Sequence, residues 1–228
     1  MTFIPFMNIL PAAQQRLWPD LKAAHGLGFV LYGGTAIALR CGHRQSIDFD
    51  FFSNEALNRE SMKSVMPFLS KATVLQDQTN AFSVLVNYGD SEESQVKVSF
   101  FGALNLGRVG TPEMTEDKVI QVASLDDLMA TKVKVILERA EAKDYTDIAT
   151  MINAGTSLPK GLASARLIFG PNFQPSESLK ALTYFNDGDL KTLSNDVKTC
   201  LINSVGAIRN LPHIALLSHK LFDSTPRD

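Results

Sequence analysis

The stretch Tyr32-Gly33-Gly34-Thr35-Ala36-Ile37-Ala38-Leu39-Arg40-Cys41-Gly42-His43-Arg44-Gln45-Ser46-Ile47-Asp48-Phe49-Asp50-Phe51-Phe52 decides the fold. It reads as a strand end, a glycine turn, a short helix and a second strand. Phe29 to Tyr32 is an apolar run, which hides its backbone only by pairing in a sheet. Two adjacent glycines, Gly33 and Gly34, break the run where the backbone needs unusual φ/ψ or must approach another group closely. Thr35 to Arg40 is helix-forming, and Gly42 can end the helix. Ile47 to Phe52 is apolar and aromatic except for two aspartates.

Side chains alternate along a strand, so Asp48 and Asp50 share one face while Ile47, Phe49 and Phe51 take the other. The two backbones are roughly 6–7 Å apart. Carboxylates that converge to about 5 Å repel by roughly 3 kcal/mol at an effective dielectric of ~20. A hard divalent cation removes that repulsion by taking oxygen ligands. Two solvated acids at a strand end are the alternative, and the pair alone leaves both readings open. The glycine turn upstream shifts the balance. A helix starting after Gly33-Gly34 offers free N–H groups and a positive dipole end to an anion such as phosphate.

Gly33-Gly34-Thr35, followed by Arg44-x-Ser46-x-Asp48-x-Asp50-Phe51-Phe52, resembles the nucleotidyltransferases of the AbiEii/AbiGii toxin type. These belong to the polymerase-β-like nucleotidyltransferase superfamily. The resemblance implies an α+β (α/β) fold with a mixed sheet flanked by helices. It implies Mg²⁺ or Mn²⁺ on Asp48 and Asp50 and a nucleoside triphosphate as substrate. Gly33, Gly34 and Thr35 then cradle the phosphates, with Arg44 and Ser46 beside them. The acceptor it implies is an RNA, tRNA in some members, or a protein. A cognate antitoxin is the implied partner.

Composition bounds the rest. The chain has 228 residues, 45% hydrophobic and 20% charged, which describes a globular protein with a sizeable core. A net charge of −2 gives no bulk attraction to nucleic acid, so any RNA contact uses a local patch. Cys41 and Cys200 form neither a metal pattern nor a disulfide framework, which fits a reducing cytoplasm. No apolar run approaches the ~18 residues of a membrane span, and no signal peptide is expected. Gly26-x-Gly28 precedes a strand instead of following one, so it is no dinucleotide fingerprint. The four histidines show no metal spacing; His43, beside the motif, is the one worth testing.

Working outward, Pro11 to Ala24 reads as one amphipathic helix with Ala13, Leu17, Trp18, Leu21 and Ala24 inward. Ser53 or Asn54 can cap a helix reaching about Leu69, stopped near Pro67. Strands follow at 72–76, 81–88 and 95–101, with a hairpin turn at Gly89-Asp90 through Ser94. Lys97 and Ser99 share one face of the last strand. In the toxin family this segment resembles Lys-x-Glu or Lys-x-Asp, so Ser99 stands where a third acid is expected. Thr115 to Val122 reads as a short strand. Ser124 with Asp127 is a capping pattern for a helix from Leu125 to about Arg139. A second helix follows at about 143–152.

Asp127-Leu128-x-x-x-Lys132, Arg139 and Lys143-Asp144-x-x-Asp147 again resemble the family. Lys132 and Arg139, seven residues apart, lie near one helix face. As a cationic pair they can neutralise a triphosphate, with Asp144 holding them by a local ion pair. A solvated helix face with salt bridges is the other reading. The expected organisation is a nucleotidyltransferase core over 1–154, a connector over 155–175 with one short helix, and a helical C-terminal region over 176–228 packed on the core. The candidate catalytic residues are Asp48, Asp50, Lys132 and Asp144. The nucleotide-binding candidates are Gly33, Gly34, Thr35, Arg44, Ser46, Lys97 and Arg139. Two rival functions remain: a catalytically impaired nucleotide- or partner-binding module, and a glycosyltransferase using Asp-x-Asp for a sugar nucleotide.

Overall fold

The computed structural model describes residues 2–89 and 94–223. The turn expected at Gly89-Asp90 through Ser94 falls largely on 90–93, outside the described residues. The chain divides into two compact units. Met1–Leu106, Thr111–Ala123 and His219–Asp228 form the first; Gly107–Gly110 and Ser124–Ser218 form the second. The expected core, 1–154, therefore has residues in both.

The first unit contains β1 (Thr2–Phe3), α1 (Ala12–Leu17), α2 (Lys22–Gly26), β2 (Val30–Tyr32), α3 (Gly33–Cys41), β3 (Asp48–Phe52) and α4 (Arg59–Val65). It continues with β4 (Thr73–Gln78), β5 (Ala81–Asn87), β6 (Gln95–Phe101), β7 (Glu113–Thr115) and β8 (Gln121–Val122). The strands form one mixed sheet in the order β1-β7-β8-β2-β3-β6-β5-β4. β3 lies in its middle, antiparallel to β2 and parallel to β6. One sheet face is wholly apolar at the centre: Leu31, Phe49, Phe51, Val98, Phe100 and Val84 are fully buried. Phe51 stacks on Phe100 at 5.4 Å, and Trp18 meets Phe49 at 6.2 Å. That buried aromatic face holds β3 rigid and leaves its other face to carry the aspartates.

Local chemistry moved several expected boundaries. The helix expected from Pro11 to Ala24 is broken by a 3-10 turn over Trp18–Leu21, because Pro19 supplies no N–H for the α ladder. The inward residues Ala13, Leu17, Trp18, Leu21 and Ala24 are all buried as expected. Ile47 precedes β3 and is 64% exposed, so it does not join Phe49 and Phe51 in the core. The cap of α4 is Asn58, whose side chain accepts from the Ser61 N–H at 2.9 Å. Asn54 is engaged elsewhere: its amide donates to the Leu104 and Leu106 carbonyls and accepts from the Leu221 N–H. The single strand expected over 115–122 is a hairpin of β7 and β8. The turn forms because Thr115 Oγ1 accepts from the Val119 and Ile120 N–H groups while Lys118 takes a φ of 57°.

The second unit is helical: α5 (Leu125–Val135), α6 (Ala142–Asn153), α7 (Leu158–Phe169), α8 (Pro175–Ala181) and α9 (Asn195–Gly206). α5 begins at the expected Ser124 cap but ends at Val135, so Arg139 lies beyond the helix and not two turns along it. The stretch 155–175 carries α7, whose Leu158, Leu162 and Ala165 are buried. Gly161 lets α7 approach α5, since a Cβ there would collide with the Met129 side chain.

Candidate active site

β2 turns directly into α3 through Gly33, whose φ of +74° suits a residue without a side chain. A Cβ on Gly33 would sit 2.6 Å from Asp50 Oδ2, so the glycine also makes room for that carboxylate. A Cβ on Gly34 would collide with the Arg44 guanidinium. Arg44 thus lies against the first turn of α3, and its Nη1 donates to the Gln45 carbonyl at 2.9 Å. Gly42 ends α3 with a φ of +66°, as a left-handed cap should.

The residues between α3 and β3 are pinned from inside. Thr35 is 1% exposed, and its Oγ1 hydrogen-bonds the Ser46 hydroxyl at 2.7 Å and the Asp48 carbonyl. These hydroxyls fix where β3 begins relative to α3. What the Thr35 position offers an anion is therefore the N-terminal end of α3, not its side chain.

Register decides which groups share the aspartate face. Asp48 pairs with Lys97 and Asp50 with Ser99 across β3 and β6. Asp50 pairs with Tyr32 across β2 and β3, and Ser99 with Ser83 across β6 and β5. Directly paired residues point to the same side. One face of the sheet therefore carries Tyr32, Asp50, Ser99 and Ser83 in one row and Asp48 and Lys97 in the next. Both aspartates and Lys97 are partly exposed, while Ser99 is 1% exposed. Tyr32 stacks on Phe52 at 4.7 Å and forms an aromatic wall beside Asp50. Sequence reasoning assigned Tyr32 no role; the signal lay in its place at the strand end before the glycines. Two carboxylates on one rigid strand, next to a glycine cleared for one of them, are a hard-oxygen donor set of the kind Mg²⁺ takes alongside substrate phosphates. No group of three or more metal-ligating side chains occurs among the described residues.

The second unit brings together Lys132, Arg139, Asp144 and Asp147. Lys132 is 5% exposed and its Nζ pairs with Asp144 Oδ1 and, at 2.8 Å, with Asp147 Oδ2. Arg139 grips Asp144 with two N–H groups, at 2.8 and 3.2 Å. Asp144 therefore holds both cations, although Arg139 reaches it from beyond α5. Burial pushes the Asp144 carboxyl up, but the Arg139 hydrogen bonds and the Lys132 charge outweigh it and leave the group below its ordinary value. Lys143 pairs instead with Glu141 at 2.7 Å. Asp127 has a different environment. Burial raises its pKa, against hydrogen bonds from the Ser124 hydroxyl and the Val109 and Gly110 N–H groups. It ties the segment 107–110 to the start of α5.

The profile of the family described as nucleotidyl transferase AbiEii toxin, type IV TA system, matches residues 16–193. The protein aq_aa25 of Aquifex aeolicus (strain VF5) is 29% identical over 161 residues, covering 70% of this chain and 74% of that one. Two solved structures align with most of the chain. The antibiotic-resistance factor ANT(2'')-Ia has a TM-score of 0.49 at 13% identity, over 68% of this chain and 90% of that one. MenT4, a nucleotidyltransferase toxin of Mycobacterium tuberculosis, has a TM-score of 0.48 at 14% identity, over 86% and 88%.

Proposed function

Given that the chain belongs to the nucleotidyl transferase AbiEii toxin family of type IV toxin–antitoxin systems, we propose that it moves a nucleoside monophosphate from a nucleoside triphosphate to an RNA or protein acceptor, with tRNA among the RNA candidates. The observation that carries this reading is the pair Asp48 and Asp50 on one face of β3, beside the glycine-opened start of α3. A cognate antitoxin is the partner the family implies. No helix among the described residues is long and apolar enough to cross a membrane, and a cytoplasmic site of action suits that.

In this reading Asp48 and Asp50 hold Mg²⁺ or Mn²⁺. The ion supplies neutralisation of the triphosphate oxygens and activation of the acceptor hydroxyl. The chain's residues do the rest. The N-terminal end of α3 and the Arg44 guanidinium bind phosphate oxygens. Lys97, across from Asp48, offsets negative charge in the same row. The acceptor oxygen forms a bond to the α-phosphorus as the bond to the β-phosphate breaks, and pyrophosphate leaves. Ser99 does not take the acceptor's proton at neutral pH, so the proton passes to Asp50 or to water. In the second unit Asp144 holds Lys132 and Arg139 together as a cationic pair.

Ser99 also favours a second reading, a module that binds nucleotide but transfers slowly or not at all. A positioned base contributes about 10²–10⁴-fold. Incubation with radiolabelled triphosphates and total cellular RNA or protein tests both. Ser99→Asp is expected to transfer label faster than the natural chain with little change in nucleotide affinity. Efficient transfer by the natural chain and slower transfer by Ser99→Asp would show that Ser99 is no lost acid. No transfer by either would favour the binding module.

A further inference from the structure

A cleft of about 530 Å³ opens in the first unit at the leading ends of β3 and β6. Pro11, Ala13, Gln14, Arg16, Ile47 and Val96 are among its walls. It lies apart from the carboxylate pair. Val96 precedes Lys97 on β6 and so faces away from the aspartate side. The helical segment that supplies Gln14 packs on that same far side, through Trp18 on Phe49.

Gln14 is the anomaly. Its residue is 1% exposed, and neither Nε2 nor Oε1 has a hydrogen-bond partner. Its neighbour Gln15 shows the usual solution, donating to the Leu10 carbonyl at 2.8 Å. A buried primary amide without partners is unfavourable, and leucine in its place would serve folding better. Gln14 is among the residues that line the cleft, and its amide meets a partner there by turning outward from its buried position.

The chemistry of the walls specifies that partner. A primary amide presents one donor and one acceptor side by side, which matches an adjacent donor–acceptor edge such as adenine N6 and N7. Ile47, which is exposed, and Pro11, which is half-buried, offer apolar surface to a flat ring. Arg16 is exposed at the wall, with Nη1 on the Tyr88 carbonyl at 2.6 Å, and brings positive charge suited to the phosphate a nucleotide carries. The volume falls in the range of small-ligand pockets.

We infer that this cleft is an adenine-nucleotide site, separate from Asp48 and Asp50, in which Gln14 reads the base edge. The ligand is either a free adenine nucleotide or an adenosine within an RNA strand, and the two share this chemistry. The inference stands independently of the transfer reading.

Isothermal titration of the full chain in EDTA, with AMP, UMP and hexa-adenylate as probes, tests it. EDTA removes the divalent ion that the carboxylate pair needs. AMP should bind, at least about tenfold more tightly than UMP, and the Asp48→Asn/Asp50→Asn variant should bind it equally well. Gln14→Leu should weaken AMP about tenfold or more while melting at the same or a higher temperature. Ile47→Trp should block binding without affecting the fold, because Ile47 is 64% exposed. Tighter binding of hexa-adenylate than AMP would identify an RNA strand as the ligand, and equal binding a free nucleotide. Absence of AMP and hexa-adenylate binding overturns the inference. So does binding that survives both Gln14→Leu and Ile47→Trp.

Discussion

Two pairs of aspartates in this molecule differ in what compensates them. Asp144 and Asp147 are fully buried and share Lys132, with Arg139 also on Asp144, so two negative charges meet two positive ones inside one unit. Asp48 and Asp50 lie two apart on a strand, partly exposed, with Lys97 across the register and a glycine that clears space beside them. The first pair closes an account of charge within the fold. The second lies on a partly exposed sheet face, next to a helix start that attracts anions. Position in a charge balance, more than the identity of the acid, separates a residue that holds the protein together from one that holds a ligand.

The largest effect should come from breaking the closed pair. Lys132→Met removes the cation that the buried Asp144 and Asp147 share, and removing one partner of a buried ion pair costs about 3–5 kcal/mol. Urea denaturation of the full chain should show that loss. Asp48→Asn should show none, because it relieves repulsion. Equal destabilisation by the two substitutions would erase the distinction between the pairs.

A smaller effect should appear in acid. The Asp144 carboxyl is lowered in the folded chain from an ordinary value of 3.8. Its stabilisation is therefore fully present above about 3.8 and is lost as pH falls through the folded value. Asp127 carries the opposite sign, because burial raises it above the same ordinary value. Melting temperatures between pH 5 and pH 2 should fall on an acid limb that is shallower in Asp144→Asn. An unchanged limb would place the acid sensitivity elsewhere.

Much of the fold was legible because its signals are local. Strand parity put Asp48 and Asp50 on one face, Gly42 ended α3, and Ser124 capped α5. β6 runs from Gln95 to Phe101 as its alternation predicts. Several misplaced boundaries involve partners distant in sequence or a conformation the residue type does not advertise. Asn54 and Asn58 are equivalent as local caps; only the distant Leu104, Leu106 and Leu221 backbone groups take Asn54 away. A left-handed lysine at 118 carries no glycine or asparagine signal. Arg139 looked like part of a helix because the pull of Asp144 across the turn is invisible to periodicity. Gln14 sits in the polar run Gln14-Gln15-Arg16, where nothing local distinguishes the buried glutamine from the exposed one.

In the proposed reading Asp48 and Asp50 form a cation site serving a nucleotide. Thermal denaturation with and without Mg²⁺ and a non-hydrolysable nucleoside triphosphate tests it most directly, since a ligand bound only by the folded state raises the melting temperature. The natural chain should gain several degrees with metal and nucleotide together. Asp48→Asn/Asp50→Asn should lose the metal-dependent part of that gain while still unfolding cooperatively without ligand. An undiminished metal-dependent shift in the double variant would contradict the claim.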